Sequence, residues 1–234
     1  MATTLLQGTE LSGVWQMALD AALLEQRRPI LRFYRWSRPT LSLGFHQQPL
    51  QPAWLQWQRS GGGDLVRRPS GGGAVLHGGD LCYALVWPDP ACGRLEAYRQ
   101  VCAWLQRAFA ELGEPLVFGG AAASTSGDCF ARSTSADLLT AERQKRIGSA
   151  QRWQRGCLLQ HGSIQLNPDR VAWQQLLNGP GPQLPDLGLS PAQLAEHLLS
   201  AAPPWLQLTA TEHPLDAELL ALAGNQLERY RLGG

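Results

Sequence analysis

The chain has 234 residues, a formal net charge of +1 at pH 7 and a hydrophobic content of 44%. A chain of this length can bury one substantial core, so we predict one main domain. A net charge this close to zero gives no reason to expect a nucleic-acid or membrane partner, because neither would attract the chain as a whole. Residues 1–6 lack a basic region followed by a long apolar core, and no later run is long and apolar enough to span a membrane, which favours the cytoplasm.

Cysteine and histidine usage argues against both disulfides and metal. Five cysteines without closely spaced pairs predict free thiols in a reducing compartment. The five histidines form no HExxH or HxxxH pair, so they offer no metal-binding face on a helix, and we predict no metal. The cysteines are Cys82, Cys92, Cys102, Cys129 and Cys157.

The first part of the chain has the pattern of a helix followed by two strands. Apolar residues at positions 14, 17, 21 and 24 recur at helical spacing behind Ser12, which can cap a helix that ends near Arg28. Asp20 lies off this apolar line. Residues 30–34 and the alternating residues 41–45 are typical of strands, and the turn-forming residues between them predict a hairpin.

The middle of the chain alternates between strands and helices. Apolar residues from 95 to 112 follow a helical stripe that stops at Gly113, which predicts a long helix. The whole order predicts a mixed α/β fold. Further candidates are a short helix over 54–58 and strands over 65–68, 82–87, 116–118, 137–140, 157–160 and 163–166.

The composition turns helical after Asp169. Residues 171–177 predict one helix, Ser190 and Pro191 form a cap and first-turn pair for another, and a last helix is expected after Pro214. These residues are too few for a confident independent domain. We therefore divide the chain into a core over residues 1–168 and a C-terminal helical segment over residues 169–234, packed on the same core.

A glycine run at residues 71–73 directly follows Arg67 and Arg68. Its backbone amides can approach a ligand closely and line a floor for a carbonyl, carboxylate or phosphate group. From local sequence alone, a tight turn with solvated arginines is an equal alternative. The earlier glycine run, residues 61–63, is predicted to be a surface turn, and neither run has the pattern of a Walker loop or of a dinucleotide-binding fingerprint.

Two candidate reactive side chains follow. Lys145 is the only lysine of the chain and precedes small residues, so it can project into a narrow cleft and polarise an acyl carbonyl. Cys129 lies in a polar stretch, unlike the cysteines of apolar segments, and a thiol near a cation can accept an acyl group from a thioester. A solvated lysine and a surface cysteine without a role are the alternatives.

Two histidines, His77 and His161, each follow apolar residues and precede glycine. Either can hydrogen-bond at the rim of a pocket. We expect a structural role rather than general-base chemistry, because we find no nearby carboxylate in sequence to orient either ring.

Two motifs carry a family resemblance: residues 67–77, RRPSGGGAVLH, and residues 145–151, KRIGSAQ. Together with shorter matching segments elsewhere, these motifs give the chain from Val14 through Leu166 a resemblance to a known family. The chain resembles the lipoate/octanoate protein ligase and transferase family of the biotin/lipoate protein ligase superfamily. The resemblance implies a mixed β-sheet core flanked by helices, like the catalytic core of biotin and lipoate protein ligases, and an acyl chain buried in a tunnel. Residues 1–168 would then be the catalytic core.

The resemblance implies two possible chemistries. Octanoyltransferases of the LipM type take octanoate from acyl carrier protein onto a cysteine and need no cofactor, whereas lipoate-protein ligases activate lipoate with ATP and Mg. Both deliver the acyl group to a lysine of a lipoyl-domain carrier protein, such as the glycine-cleavage H protein or a dehydrogenase E2. The position of Cys129 shortly before Lys145 looks like the transferase pattern, so octanoyl transfer through a Cys129 thioester is the leading interpretation.

Two departures from the transferase pattern favour other readings. Gly73 replaces an arginine that transferases often carry, and this difference supports the interpretation as an ATP-dependent ligase. Gly78 replaces an aspartate common after the histidine, which leaves open a non-catalytic binder of acyl ligands. The predicted catalytic residues are Cys129 and Lys145, and the predicted acyl-binding or substrate-binding residues are Arg67, Arg68, Ser70, Gly71, Gly72, Gly73, Ala74, His77, Gly148, Ser149, Ala150, His161 and Gly162.

Overall fold

A computed structural model describes residues 2–120 and 137–233. Within these ranges no helix is long and apolar enough to cross a membrane. A short 3-10 turn lies at Pro204–Leu206. The other elements, in chain order, are β1 (Thr3–Leu11), α1 (Gly13–Gln26), β2 (Ile30–Trp36), β3 (Thr40–Leu43), α2 (Pro52–Arg59), β4 (Asp64–Arg67), β5 (Val75–His77), β6 (Asp80–Pro88), α3 (Arg94–Glu111), β7 (Val117–Phe118), β8 (Asp137–Leu139), β9 (Lys145–Gln154), β10 (Cys157–Gln165), α4 (Arg170–Leu177), α5 (Pro191–Ser200), β11 (Leu208–His213), α6 (Ala217–Gly224) and α7 (Leu227–Tyr230).

The strands form two mixed sheets. The larger has eight strands in the order β11-β1-β2-β6-β10-β9-β8-β7, and the smaller has three in the order β4-β3-β5. Strand β1 runs parallel to both β2 and β11, whereas the other pairs of the large sheet are antiparallel. The predicted fold class, a mixed sheet flanked by helices, is confirmed.

The large sheet is buried on both faces. Along β6, Leu81, Tyr83 and Leu85 pack into one core with α3 and α5, while Cys82 and Ala84 face a second core formed with α1 and α6. This two-sided burial explains why the strand is apolar at successive positions rather than at alternate ones. A third core joins the small sheet to α2 and α4, where the Trp54 indole donates to a carbonyl of α4.

Strands β9 and β10 form a hairpin that the sequence did not reveal. Gln154 pairs with Cys157, so the loop between them has two residues, Arg155 and Gly156. Both have positive φ, 48° and 80°, which gives the backbone twist that favours such short hairpin turns. Predicted strands 157–160 and 163–166 are one continuous strand, and β9 was not predicted.

The hairpin predicted for residues 30–34 and 41–45 is wrong. The first strand is β2, which pairs with β1 and β6 in the large sheet. The second is β3, which pairs with β4 and β5 in the small sheet. The turn residues between them therefore lead the chain from one sheet to the other.

The C-terminal segment contributes a strand as well as helices. Asp169 caps α4 by accepting from the amides of Val171 and Ala172, and Ser190 caps α5 in a reciprocal capping box with Gln193. Strand β11, which was not predicted, adds to the large sheet beside β1. Residues 169–233 thus complete the edge of the main sheet.

Candidate active site

A cavity of about 290 Å³ lies between the two sheets. Gly71 and Gly72 of its wall are exposed and Ser149 is half-buried, whereas Met17 and Cys82 are buried. This gradient of exposure defines a glycine-lined mouth and a closed inner end. The wall residues are Met17, Tyr34, Trp36, Ser42, Arg68, Gly71, Gly72, Val75, His77, Cys82, Asp137, Lys145, Gly148, Ser149, Ala150, Gln151, His161, Gly162 and Ser163.

The glycine loop between β4 and β5 is held by Arg68. Its guanidinium donates to the carbonyl oxygens of Gly71 and Gly73, at 2.8 and 2.7 Å, and to that of Ser42 at 3.0 Å. Gly72 has φ +97°, a conformation that a side chain would strain. Arg68 is therefore not a solvated cation but a buried clamp that fixes the shape of the cavity mouth.

Four predicted ligand-binding residues are not part of the cavity wall. Arg67 donates to the carbonyls of Gly44, Phe45 and Gln47, so it holds the adjoining turn. The others are Ser70, Gly73 and Ala74. Contact of these four with substrate stays a prediction.

Substituting Gly44 is expected to disturb this mouth. A Cβ at Gly44 would lie 1.8 Å from the Gly72 oxygen, so the glycine loop must move. We expect Gly44→Ala to lower the free energy of unfolding by about 1–3 kcal/mol. Urea unfolding checks this, with Gly71→Ala as the control because a Cβ there meets nothing within 4 Å. Equal stability of the two variants would contradict the packing argument.

Lys145 begins β9 and is buried in the cavity wall. Its ammonium nitrogen lies 2.8 Å from a carboxylate oxygen of Asp137, and the two side chains are 6% and 5% exposed. The alternative of a solvated turn lysine is therefore wrong. The chain places its single lysine, paired with an acid, inside the cavity.

His161 is oriented by a carboxylate that is distant in sequence. Its Nδ1 lies 2.7 Å from Asp20 and its Nε2 lies 2.5 Å from the Ser70 hydroxyl. Asp20 also accepts from Arg32 at 2.6 Å. Burial raises the pKa of Asp20, but Arg32 and His161 outweigh burial and hold that pKa below the ordinary carboxyl value.

His77 has a similar arrangement. Its Nδ1 lies 2.6 Å from Asp80, its Nε2 lies 2.8 Å from the Ser42 hydroxyl, and its ring stacks on Trp36. Asp80 also accepts from the amide of Gly78, the position that departs from the family pattern. The expectation that no carboxylate orients His77 or His161 is wrong, because Asp80 and Asp20 do so.

The buried carboxylates Asp20 and Asp80 make the free energy of unfolding depend on pH in the acidic range. As with Asp20, burial raises the pKa of Asp80 but His77 and Ser163 outweigh burial and lower it. A lowered carboxyl pKa contributes stability that is present above the unfolded pKa, about 3.9, and lost as pH falls through the folded value.

We therefore expect the free energy of unfolding to fall steeply below about pH 4, the unfolded carboxyl pKa. Urea titrations over a pH series check this, and Asp80→Asn should reduce the slope. Asp89→Asn is the control, because that side chain is 70% exposed. A slope unchanged by Asp80→Asn would contradict the assignment.

Small residues give the sheet side of the cavity its shape. A Cβ at Gly162 would lie 2.6 Å from the Tyr83 ring and 2.7 Å from the Ser149 hydroxyl, so only glycine fits. The Ser149 hydroxyl lies 2.8 Å from that of Tyr83. Gly148 and Ala150 are neighbours on the same strand and also line the cavity.

Cys129 lies outside the described residues, so its predicted nucleophilic role stays a prediction. Cys82, a cysteine of the apolar strand β6, lines the cavity. Its thiol donates to Asp80 and accepts from the Trp36 indole, at 3.2 Å each. Burial and the Asp80 charge raise its pKa well above the ordinary value, so this thiol is protonated and a poor nucleophile.

One group of described side chains has the composition of a metal site. The donor atoms of His77, Asp80 and Cys82 lie within 4.8 Å of one another. They hydrogen-bond one another, so the group is explained without an ion. The predicted absence of metal remains a prediction.

Several wall residues were missed in the sequence. Asp137 opens a predicted strand and Ser42 alternates with apolar residues in another, which are signals that could have pointed to them. Tyr34 ends a predicted strand, and Trp36 lies two residues beyond it. The other missed residues are Met17, Val75, Cys82, Gln151 and Ser163.

The fold is that of lipoate-protein ligases. A crystal structure of lipoate-protein ligase A bound with ATP matches 98% of this chain and 95% of its own, with a TM-score of 0.80 at 20% identity. A bipartite lipoate protein ligase of Thermoplasma acidophilum, studied with its E2 lipoyl domain, matches 97% of this chain and 92% of its own, with a TM-score of 0.76 at 20% identity.

The family follows from the sequence comparisons. A model of the lipoyl protein ligase A/B catalytic domain matches residues 12–186, so the chain belongs to that family. It is 35% identical to octanoyltransferase LipM of Lysinibacillus sphaericus over 70% of this chain and 66% of that protein. It is 34% identical to octanoyltransferase LipM of Kyrpidia tusciae over 75% of this chain and 70% of that protein. The matched part therefore spans about two thirds of these relatives.

Proposed function

We propose that the protein transfers an octanoyl group from acyl carrier protein to a lysine of a lipoyl carrier domain. The observation that carries this proposal is Lys145, the only lysine, buried beside Asp137 in the wall of a glycine-lined cavity. The relatives at 34–35% identity are octanoyltransferases, which supports this substrate. The lipoyl-domain acceptor is supported by the E2 domain with which the Thermoplasma ligase was studied.

Lys145 supplies a fixed positive charge inside the cavity. A cation aimed at a carbonyl stabilises the negative charge that forms on oxygen during attack, and this effect is strong where water is excluded. Asp137 balances the charge when no substrate is present, because an isolated buried ammonium would be costly. The pair thus keeps the cation available at low cost to stability.

Cys129 is the nucleophile of the proposed reaction. Its thiolate attacks the thioester carbonyl of octanoyl-acyl carrier protein, a new C–S bond forms, and the carrier thiolate leaves and takes up a proton. The amine of the acceptor lysine then attacks the octanoyl-cysteine. The amide bond forms, the C–S bond breaks, and the proton lost by the amine restores the thiol.

The size of the cavity favours transfer over ATP-dependent ligation. Its volume of about 290 Å³ is at the lower limit of small-molecule sites, roughly 300–1,000 Å³. An acyl group fits such a volume better than an acyl adenylate does. Asp137 is the only carboxylate among the cavity-wall residues described, and it is paired with Lys145, so the wall is poorly suited to Mg. The ATP-dependent ligase remains the second candidate function, because Gly73 stands where transferases often carry an arginine.

Donor preference tests the proposal. Purified protein is incubated with a lipoyl domain and one of two donors, either octanoyl-acyl carrier protein or lipoate with ATP and Mg. The mass of the lipoyl domain is then measured by intact mass spectrometry. We expect octanoylation with the first donor and no change with the second. Lipoylation that needs ATP would establish the ligase instead, and no mass change with either donor would support a non-catalytic acyl binder.

A further inference from the structure

The cavity contains a second candidate acyl acceptor, the hydroxyl of Ser42. This hydroxyl lies 2.8 Å from His77 Nε2, and His77 Nδ1 lies 2.6 Å from Asp80. A carboxylate, an imidazole and a hydroxyl in this sequence of contacts form the arrangement of a serine hydrolase triad, which is recognised by geometry rather than by order in the chain.

The hydrogen bonds fix the direction of proton transfer. The carboxylate of Asp80 only accepts, so Nδ1 of His77 carries a hydrogen, and in the neutral ring Nε2 is the acceptor. The Ser42 hydroxyl therefore donates to Nε2, as a nucleophile donates to its general base. Stacking on Trp36, with ring centroids 4.2 Å apart, holds the imidazole in place.

The positive charge of Arg68 lies beside the Ser42 hydroxyl. Arg68 Nη1 is 3.3 Å from the Ser42 hydroxyl and 3.0 Å from the Ser42 carbonyl. Its guanidinium is fixed by the carbonyls of the glycine loop, so it need not reorganise during attack. Both Ser42 and His77 belong to the cavity wall.

The second serine–histidine–aspartate arrangement has its serine outside the cavity wall. Ser70, His161 and Asp20 have matching contacts, but Ser70 is not part of the cavity wall. Of the two serines, Ser42 is therefore the one that borders the cavity.

We infer that Ser42, His77 and Asp80 hydrolyse acyl thioesters and activated acyl esters, an activity additional to transfer. The inference rests on the proposed function only in that an acyl group enters the cavity.

In the first step of this hydrolysis, Ser42 Oγ bonds to the carbonyl carbon and its proton passes to His77 Nε2. The C–S bond breaks and the leaving thiolate takes that proton. Water then attacks the ester, gives a proton to His77, and releases the free acid as Ser42 regains its hydrogen.

A fluorophosphonate probe tests the nucleophile in the unmodified protein. We expect one phosphonate adduct, mapped to Ser42 by peptide mass spectrometry and absent in Ser42→Ala. Ser200→Ala is the control, because Ser200 is an exposed serine of α5, and this variant should still be labelled. Absence of any adduct, or an adduct on Ser70 or another residue, would overturn the inference.

Hydrolysis of p-nitrophenyl octanoate separates this activity from transfer. We expect the Cys129→Ala variant to retain hydrolysis, and addition of Ser42→Ala or Asp80→Asn to lower it by roughly 10²- to 10⁴-fold. Thermal unfolding verifies that each variant is folded. Loss of hydrolysis in Cys129→Ala alone would overturn the inference, whereas failure of lipoyl-domain octanoylation would overturn only the proposed function.

Discussion

Replacing Lys145 by methionine is expected to lower the rate of octanoyl transfer by roughly 10²- to 10³-fold, because the cavity loses the cation that stabilises the developing oxyanion. Methionine retains most of the aliphatic volume, so the loss reports on charge. It also removes the ion pair with Asp137, so stability is measured as well. The rate is followed by intact mass of a lipoyl domain supplied with octanoyl-acyl carrier protein.

The matched control for this substitution is Arg143→Met. Arg143 is an exposed cation two residues before Lys145, and its loss should leave transfer unchanged. Lys145→Arg should not restore the full rate, because a planar guanidinium does not occupy the space of a compact ammonium. A folded Lys145→Met variant with the rate of the parent protein would refute the assigned role.

Replacing Cys129 by alanine is expected to abolish the octanoyl thioester on the enzyme and to reduce transfer by at least about 10³-fold, because the proposed reaction passes the acyl group to the acceptor through this thiol. The adduct is detected by intact mass after mixing with octanoyl-acyl carrier protein. Transfer that survives in this variant would exclude the thiol mechanism.

Other cysteines cannot readily replace Cys129. Burial raises the pKa of Cys102 to about 12 and that of Cys157 to about 11, so both remain thiols near neutral pH. Cys92 is half-buried and lies away from the cavity wall, and Cys92→Ala provides the control. We expect Cys92→Ala to form the adduct at the rate of the parent protein.

Much of the fold follows from local patterns. The stripe over residues 95–112 predicts α3 because it repeats with the helical period, and the apolar run at 82–87 predicts β6. Strand pairing does not follow, because β2 and β3 join different sheets through a turn that resembles a hairpin turn. The edge strand β11 was missed since its residues are mostly exposed and polar.

The candidate site was predictable only in part. The glycine loop and Lys145 lie in short sequence motifs, so the sequence alone identifies them as candidate site residues. The carboxylates that orient the histidines were overlooked for different reasons: Asp20 is 141 residues from His161, whereas Asp80 is three residues from His77 and could have been recognised. Asp20 interrupts an apolar helix, and a buried acid in such a place is a signal of a polar network.

The central claim is that the cavity between the two sheets binds the acyl chain with its carbonyl end at Lys145. A crystal structure of the protein with octanoate tests this most directly. We predict that the hydrocarbon chain lies among the buried wall residues and that a carboxylate oxygen lies within about 3 Å of Lys145 Nζ. Octanoate bound elsewhere, or in this cavity with its carboxylate away from Lys145, would contradict the account.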